Sequence, residues 1–442
     1  MTHPQTEIDY LAKFRGAPVS GFSRRGLLAG GLSIAALGLA GCGGSDSGSG
    51  GSATGEVSFG NNQADPVPKA AIEANVKSFQ DDNPGLTIKM NTVAHTTFQE
   101  NINNYLQGSP DDVFGWFAGY RARFFAEKGL VGDISDVFSS TKGIPDSLKN
   151  ACSTSDGRQI VMPATYYPWV VMYRKSVWKK FGYQVPKTLD ELNALAATMK
   201  GDGLIPFAFA DKDGWEAMGT FDILNLRLNG YQYHIDLMSG KEDWTNQKVQ
   251  KVFDLWKGLL PLHQPSALGR TWQEAAQSLQ KGDSAMYYLG TFAAQQFKVG
   301  AEQEDLDFFT FPELDSTIGA GAIEAPTDGF MMSKRPKNES GAKKWLSYLG
   351  SATAQMTNVK ADPSAIAVST EADVAAYTSL QKRMVEVLKG ATDVAQFLDR
   401  DSRPDFASTV MGPAIQGFIK NPNDITSMLS SIESQRKSIF AS

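Results

Sequence analysis

Cysteine and histidine are scarce: a chain of 442 residues carries two of the first and four of the second. So little cysteine excludes a disulfide scaffold and any cysteine-rich zinc or iron–sulfur site. The histidines, His3, His95, His234 and His263, include no pair at the spacing that puts two metal ligands on one helix face. Positive charge is not in excess either. Lys and Arg number 42 against 48 Asp and Glu, a net −6, which argues against nucleic acid as a partner. Long apolar runs are missing but for Leu27–Leu39; a spanning helix needs about 20 strongly apolar residues, so a polytopic membrane protein is excluded. Enzyme signatures are absent too: no Gly-x-Ser-x-Gly elbow, no His-Glu-x-x-His, no phosphate loop, and no Ser-x-x-Lys with its companion motifs. No catalytic residue, metal or cofactor is expected. What is present is globular, with 42% apolar residues and 25 Phe, 13 Tyr and 8 Trp. Single cores stop growing at about 250–300 residues, so at least two lobes are expected.

The one apolar run has an address written around it. Ser23-Arg24-Arg25-Gly26 precedes it, and paired arginines before a mild apolar region resemble a twin-arginine export signal, with an ordinary Sec signal as the alternative. The run ends in Leu39-Ala40-Gly41-Cys42, which resembles a lipoprotein lipobox. Small residues there admit a peptidase to the backbone, and the Cys42 thiol is the atom that accepts a diacylglyceryl group. Two acyl chains suffice for stable anchoring. Gly43–Gly55 is almost all Gly and Ser, a flexible tether. The expectation is a signal peptide over 1–41, a lipidated tether over 42–55, and a body held on the outer face of the cytoplasmic membrane.

In the body, Val57 and Phe59 alternate as in a strand; Ile72, Val76 and Phe79 follow at helical spacing, and Leu86, Ile88 and Met90 alternate again. That is a βαβ unit and implies a parallel sheet. Further strands are expected at Asp112–Phe114, Val170–Tyr173, Pro206–Ala210, Ala285–Leu289 and Phe330–Ser333. Thr188 and Glu191 are placed as a capping box, and Val249, Val252, Phe253, Trp256 and Leu260 form a core-facing helix stripe. From Ala372 onward the pattern reads as helical.

The order of these segments resembles the family-1 extracellular solute-binding proteins of ABC importers, the group that includes the maltodextrin-binding proteins. Asp111-Asp112-Val113-Phe114 with Gly129-Leu130, Asp156-Gly157-Arg158 with Pro163, and Val171-Met172-Tyr173-Arg174-Lys175 are similar to that family's motifs, here with Arg174 where an Asn is usual. Pro186-Lys187-Thr188-Leu189-Asp190-Glu191-Leu192 and Lys281-Gly282-Asp283-Ser284-Ala285-Met286 complete the series. The resemblance implies an α/β fold of the two-lobed, type II periplasmic-binding-protein kind with three hinge crossings, near Tyr166–Pro168, Pro326–Asp328 and Gly350–Ala361. The lobes would be 56–166 with 327–360, and 167–326 with 361–442. It also implies a monomeric binder, not an enzyme, that captures a solute between its lobes and delivers it to an ABC permease.

Candidate ligand contacts follow from loops at strand ends, where open α/β sheets bind ligands. Gln63 and Asp65 follow the first strand and offer sugar hydroxyls donors and acceptors; a helix cap is the alternative for Asp65, and also for His95. Trp116, Tyr120 and Arg121 belong to a Gly-containing loop, where aromatic planes can stack on sugar C–H faces. Tyr166 and Tyr167 lie on the first crossing, Trp215 and Phe292 on loops of the other lobe. Asp328 on the second crossing either receives sugar hydroxyls or braces the hinge. A neutral oligosaccharide is expected. A polyamine or a glycerol-3-phosphate-like solute is the alternative; a lipid-anchored glycosidase, needing two carboxylates at one sugar bond, is less favoured.

Overall fold

In the computed structural model the described residues are 53–441, and the export signal, Cys42 and most of the tether fall outside them. Its strands are β1 (Gly55–Asn61), β2 (Leu86–Thr92), β3 (Val113–Phe117), β4 (Met162–Tyr166), β5 (Trp169–Arg174), β6 (Ile205–Ala208), β7 (Ser284–Gly290), β8 (Leu306–Phe309), β9 (Ala322–Glu324), β10 (Thr327–Met332), β11 (Ile366–Ala367) and β12 (Asp393–Ala395). The first βαβ unit forms as the alternation predicts. Val57 lies opposite Ile88 and Phe59 opposite Met90 in a parallel pair, and helix Pro66–Asp82 crosses over with Ile72 and Phe79 buried beneath it.

Two sheets result. One has the order β11-β4-β10-β3-β1-β2, the other β6-β7-β5-β8, and β12 and β9 make a small parallel ribbon. Each sheet has its own apolar core. Phe59, Phe79, Phe98, Phe114 and Trp345 lie in the first; Trp178, Phe221, Trp244, Phe253 and Trp256 lie in the second. Tyr166 packs against both. Only Tyr167 and Pro168 separate β4 on the first sheet from β5 on the second, and only Ala325 and Pro326 separate β9 from β10. The fold is α/β, with two lobes.

Four details depart from expectation. β3 does not stop at Phe114 but continues through Trp116 and Phe117, because it pairs with β1 and β10 and is covered along its whole length. The third passage between lobes is not confined to Gly350–Ala361. Helix Ala352–Ala361 sends Met356 and Val359 into the second core, yet β11 then hydrogen-bonds to β4 in the first sheet. Third, the stretch after Ala372 is not helical throughout: β12 interrupts it, and the strap from Gln396 to Arg403 holds only the one-turn helix Leu398–Asp401. At Thr188 the hydroxyl accepts from Glu191 N, but Glu191 reaches the amide of Lys187 instead of closing the box.

Trp256 is fully buried, with Phe253 and Phe418 against its ring at 6.0 and 5.2 Å. Trp256→Ala is expected to cost about 3–5 kcal/mol of stability in urea denaturation, as a core aromatic truncation does.

Candidate functional site

The strands of both sheets end at a common space between the lobes. There the chain encloses a cavity of about 290 Å³, lined from both sides and floored by the two crossings. Its walls differ in chemistry.

One wall is aromatic and comes from the second lobe and the first crossing. Phe292, just after β7, is its hub, with ring centroids of Trp272, Tyr167, Trp169 and Trp215 at 5.1, 5.6, 6.1 and 6.1 Å. The Trp169 ring packs closely against helix Glu216–Asn229 because position 219 is glycine; a Cβ there would sit 2.3 Å from it. Trp215 occupies the position just before that helix.

The opposite wall is polar and comes from the first lobe. Asn62, Gln63 and Asp65 follow β1, His95 and Gln99 lie on helix His95–Gln107, and Asp328 lies on β10. Asp65 occupies the cap position of helix Pro66–Asp82 but makes no side-chain cap bond, and it lines the cavity instead. Burial raises its pKa, opposed by a hydrogen bond from Gln273 of the other lobe. Desolvation lowers the His95 imidazole to about 4, and the Arg400 charge adds to this. The His95 ring meets Trp215 across the cleft, edge-on at 6.4 Å.

Behind these walls runs a chain of paired charges. Arg400 donates to Asp328 Oδ1 at 2.8 Å, the Tyr167 hydroxyl donates to the same oxygen at 3.0 Å, and the guanidinium lies 4.1 Å above the Phe117 ring. Burial works against the Arg400 charge, but Tyr167, Asp328 and Asp399 together raise its pKa. Asp328 is raised by burial and held back by Arg400. Arg121 donates to Asp399 Oδ2 at 2.6 Å and to Gln99 at 2.9 Å. Three buried polar atoms of the lining residues have no hydrogen-bond partner: Gln63 Oε1, Trp169 Nε1 and Asp399 Oδ1, the last 3.8 Å from Arg400 Nε. Leaving such groups unsatisfied costs about 1–3 kcal/mol each.

Of the residues proposed from sequence, Gln63, Asp65, His95, Tyr167, Trp215, Phe292 and Asp328 line the cavity together. Trp116, Tyr120, Arg121 and Tyr166 do not. Trp116 is a core residue, 1% exposed among Phe98, Phe117 and Phe125, since β3 turns it inward. Arg121 is buried behind the wall, 4.9 Å over the Trp116 ring, and acts on Asp399. Tyr120 begins helix Tyr120–Glu127 and faces away from the cavity, near Arg403. Asp328 both braces the crossing and faces the cavity, so its two readings were not exclusive. Sequence reasoning missed Trp272, Gln295, Asp362, Asp399 and Arg400 as lining residues. Thr271-Trp272-Gln273-Glu274 carries a capping box, formed in the structure, which places Trp272 at the start of a helix. Asp399 and Arg400 had no such signal.

Two lobes, a cavity between them and walls of complementary chemistry define a small-molecule receptor that encloses its ligand. The chain belongs to the bacterial extracellular solute-binding proteins, whose family model matches residues 74–384. It is similar to an ABC transporter extracellular-binding protein of Pyrococcus horikoshii, 26% identical over 379 residues, 84% of this chain and 82% of that one. It is also similar to the multiple sugar-binding protein of Streptococcus mutans, 23% identical over 315 residues, 68% and 72% of the two chains. Among solved structures, the bacterial solute receptor AcbH, described as having an exclusive preference for β-D-galactopyranose, superposes with a TM-score of 0.85. It is 42% identical and covers 87% of this chain and 99% of its own. The protein is thus an extracytoplasmic solute receptor of an ABC transporter.

Two outcomes follow. Trp116→Ala should lower stability by about 3–5 kcal/mol in urea denaturation, because its ring lies in the core and not in the cavity. His95, lowered to about 4, resists a proton that the unfolded imidazole takes up near 6.5. The unfolded state therefore binds more protons between these values, and the histidine's contribution to stability falls as pH drops through the window. His95→Gln should gain stability relative to the unmodified protein as pH is lowered from 7 to 4, measured by denaturation at each pH.

Proposed function

We propose that the ligand is a neutral carbohydrate of monosaccharide size, a hexopyranose such as galactose, and not a long oligosaccharide. The observation that carries this reading is the pairing of charges in the cavity wall. Asp328 and Asp399 are neutralised by Arg400 and Arg121, 2.8 and 2.6 Å away. A phosphorylated polyol would need free cations, and Arg400 and Arg121 are both occupied by carboxylates; Asp65, Asp213 and Asp362 line the cavity without a cation among the described residues, so a polyamine is the rival that the binding measurement must exclude. A neutral polyhydroxylic ring suits such a surface, with one apolar face on the aromatic wall and hydroxyls toward Gln63, Asp65, His95 and Asp328. The size supports a small ligand, since about 290 Å³ is at the bottom of the roughly 300–1,000 Å³ range of small-molecule pockets. AcbH, with its galactopyranose preference, supports the same class.

On this reading the lobes close by hinge motion around the sugar, which the permease then receives. Anchoring by a lipidated Cys42, exported through the twin-arginine route, is proposed from the sequence pattern. The body itself gives it no spanning alternative, since among the described residues no helix is long and apolar enough to cross a membrane.

Calorimetry against D-galactose, D-glucose, maltotriose, spermidine and glycerol 3-phosphate should show binding of a monosaccharide, with maltotriose, spermidine and glycerol 3-phosphate weaker by at least tenfold. Preferential binding of spermidine or glycerol 3-phosphate would overturn the neutral-sugar reading, and of maltotriose the size limit. Trp215→Ala should weaken the bound sugar by over ~2 kcal/mol, about thirtyfold, and Asp328→Ala by ~1.5–3 kcal/mol. Cys42→Ala should move the protein out of the membrane fraction or block its processing, read by fractionation and mass spectrometry.

A further inference from the structure

The strap that brings Phe397, Asp399 and Arg400 to the cavity is short, a single helical turn over Leu398–Asp401 whose Phe397 and Leu398 are buried in the second core. Its helical turn is tied to the helix beneath it at Leu398, whose backbone N–H donates to Asp222 Oδ2 at 2.6 Å. Asp222 is fully buried on helix Glu216–Asn229, does not line the cavity, and its Oδ1 has no hydrogen-bond partner. Facing that oxygen is His234 Nε2, also buried and without a partner, 3.9 Å away. At this distance the direct bond is not formed, yet the polarity of the contact is determined. Asn229 Nδ2 donates to Asn225 Oδ1 at 2.8 Å, which leaves the Asn225 amide nitrogen to face His234 Nδ1 at 3.1 Å. Nδ1 must then be the acceptor, and the single proton of a neutral imidazole sits on Nε2, pointed at Asp222. Burial keeps the ring neutral. Burial raises the pKa of Asp222 well above the usual carboxylate range, opposed by the Leu398 N–H and reinforced by the Asp401 and Asp399 charges, but a proton added to Oδ1 would meet the imidazole's own. Asp222 thus accepts from Leu398 at one oxygen and turns the other toward the imidazole N–H, 3.9 Å away.

We propose that Asp222, oriented by the Asn229–Asn225–His234 relay, is a positioning residue for ligand binding: it fixes the Leu398 amide and through it places Asp399 and Arg400 at the cavity. This rests on the sugar-binding reading only for its affinity arm. An amide side chain at position 222 supplies one acceptor and one donor, and the donor must face either Leu398 N–H or the His234 proton. Moving the carboxylate to position 225 removes the conflict. With a carboxylate there the imidazole proton shifts to Nδ1, and Nε2 becomes an acceptor for the amide nitrogen at position 222. The amide oxygen at position 222 then accepts from Leu398 again.

The test compares the unmodified chain with Asp222→Asn, Asn225→Asp and the double variant. Hydrogen exchange of the peptide covering Gln396–Asp401 is measured without ligand, and D-galactose affinity by calorimetry. Asp222→Asn should speed exchange at Leu398 at least tenfold and weaken galactose binding about tenfold or more, while the double variant should recover both to within about threefold. Unchanged exchange in Asp222→Asn, or a double variant no better than the single one, overturns the proposal. If Asp222→Asn does not fold, a folded double variant with normal exchange supports the relay, and a double variant that also fails to fold overturns it. Failure of the unmodified protein to bind galactose sinks the sugar reading alone, because the exchange arm needs no ligand.

Discussion

The guanidinium of Arg400 is the group on which the cleft depends. It is held by a carboxylate of β10, a hydroxyl of the first crossing and the face of an aromatic ring from β3, so elements of both lobes converge on one cation. A buried charge is tolerated only when it is paired and hydrogen-bonded on most sides, and removing one partner of such a pair costs far more than the pair itself contributes. The consequence is that the site is pre-set in charge before any ligand arrives. Asp328 cannot turn freely toward a ligand without weakening its hold on Arg400, and Asp399 is tied to Arg121 in the same way. The polar wall therefore presents fixed acceptors and donors, which favours discrimination between stereoisomers of a sugar over breadth of ligand.

The division of the cleft into an aromatic and a polar wall has a further energetic meaning. Rings gathered on one lobe stay in contact with one another through Phe292 when the lobes part, so the aromatic surface does not have to be rebuilt at each closure. On the proposed hinge closure, the gain would come from bringing the polar wall to a ligand already resting on the rings. A ligand that satisfied only the rings would bind without drawing the lobes together.

Much of this was legible in the residues, and the limits are physical. The βαβ unit around Val57 and Ile88 follows from alternation, and the places of Phe292 and Asp328 at the cavity follow from a loop at a strand end and from a crossing. The family motifs carried the fold as a whole. Trp116 was misplaced because a Gly-containing aromatic segment reads as a loop, whereas Gly115 here lies in a strand covered on both sides, with Asn62 close to where its Cβ would be. Asp399 and Arg400 were invisible for the opposite reason. Their segment has no periodicity, and what brings it to the cleft is a set of long-range bonds: Asp222 to Leu398, and Thr327 N to the Gln396 side chain. No local pattern encodes a partner 176 positions away.

The strand order of the first sheet also dictates how the molecule must be put together. β10 lies between β3 and β4 in the centre of that sheet, although most of the second lobe separates it from them in sequence. Until residues 327–332 have been made, β3 and β4 each have an open edge and nothing to join them, so the first lobe cannot finish folding as it emerges. Its completion waits for the chain to run through the other lobe and return. Such late, non-local closure is intrinsically slow. It leaves an interval in which the chain is complete in sequence but open along β3 and β4, when unpaired strands are most exposed to pairing with the wrong neighbour.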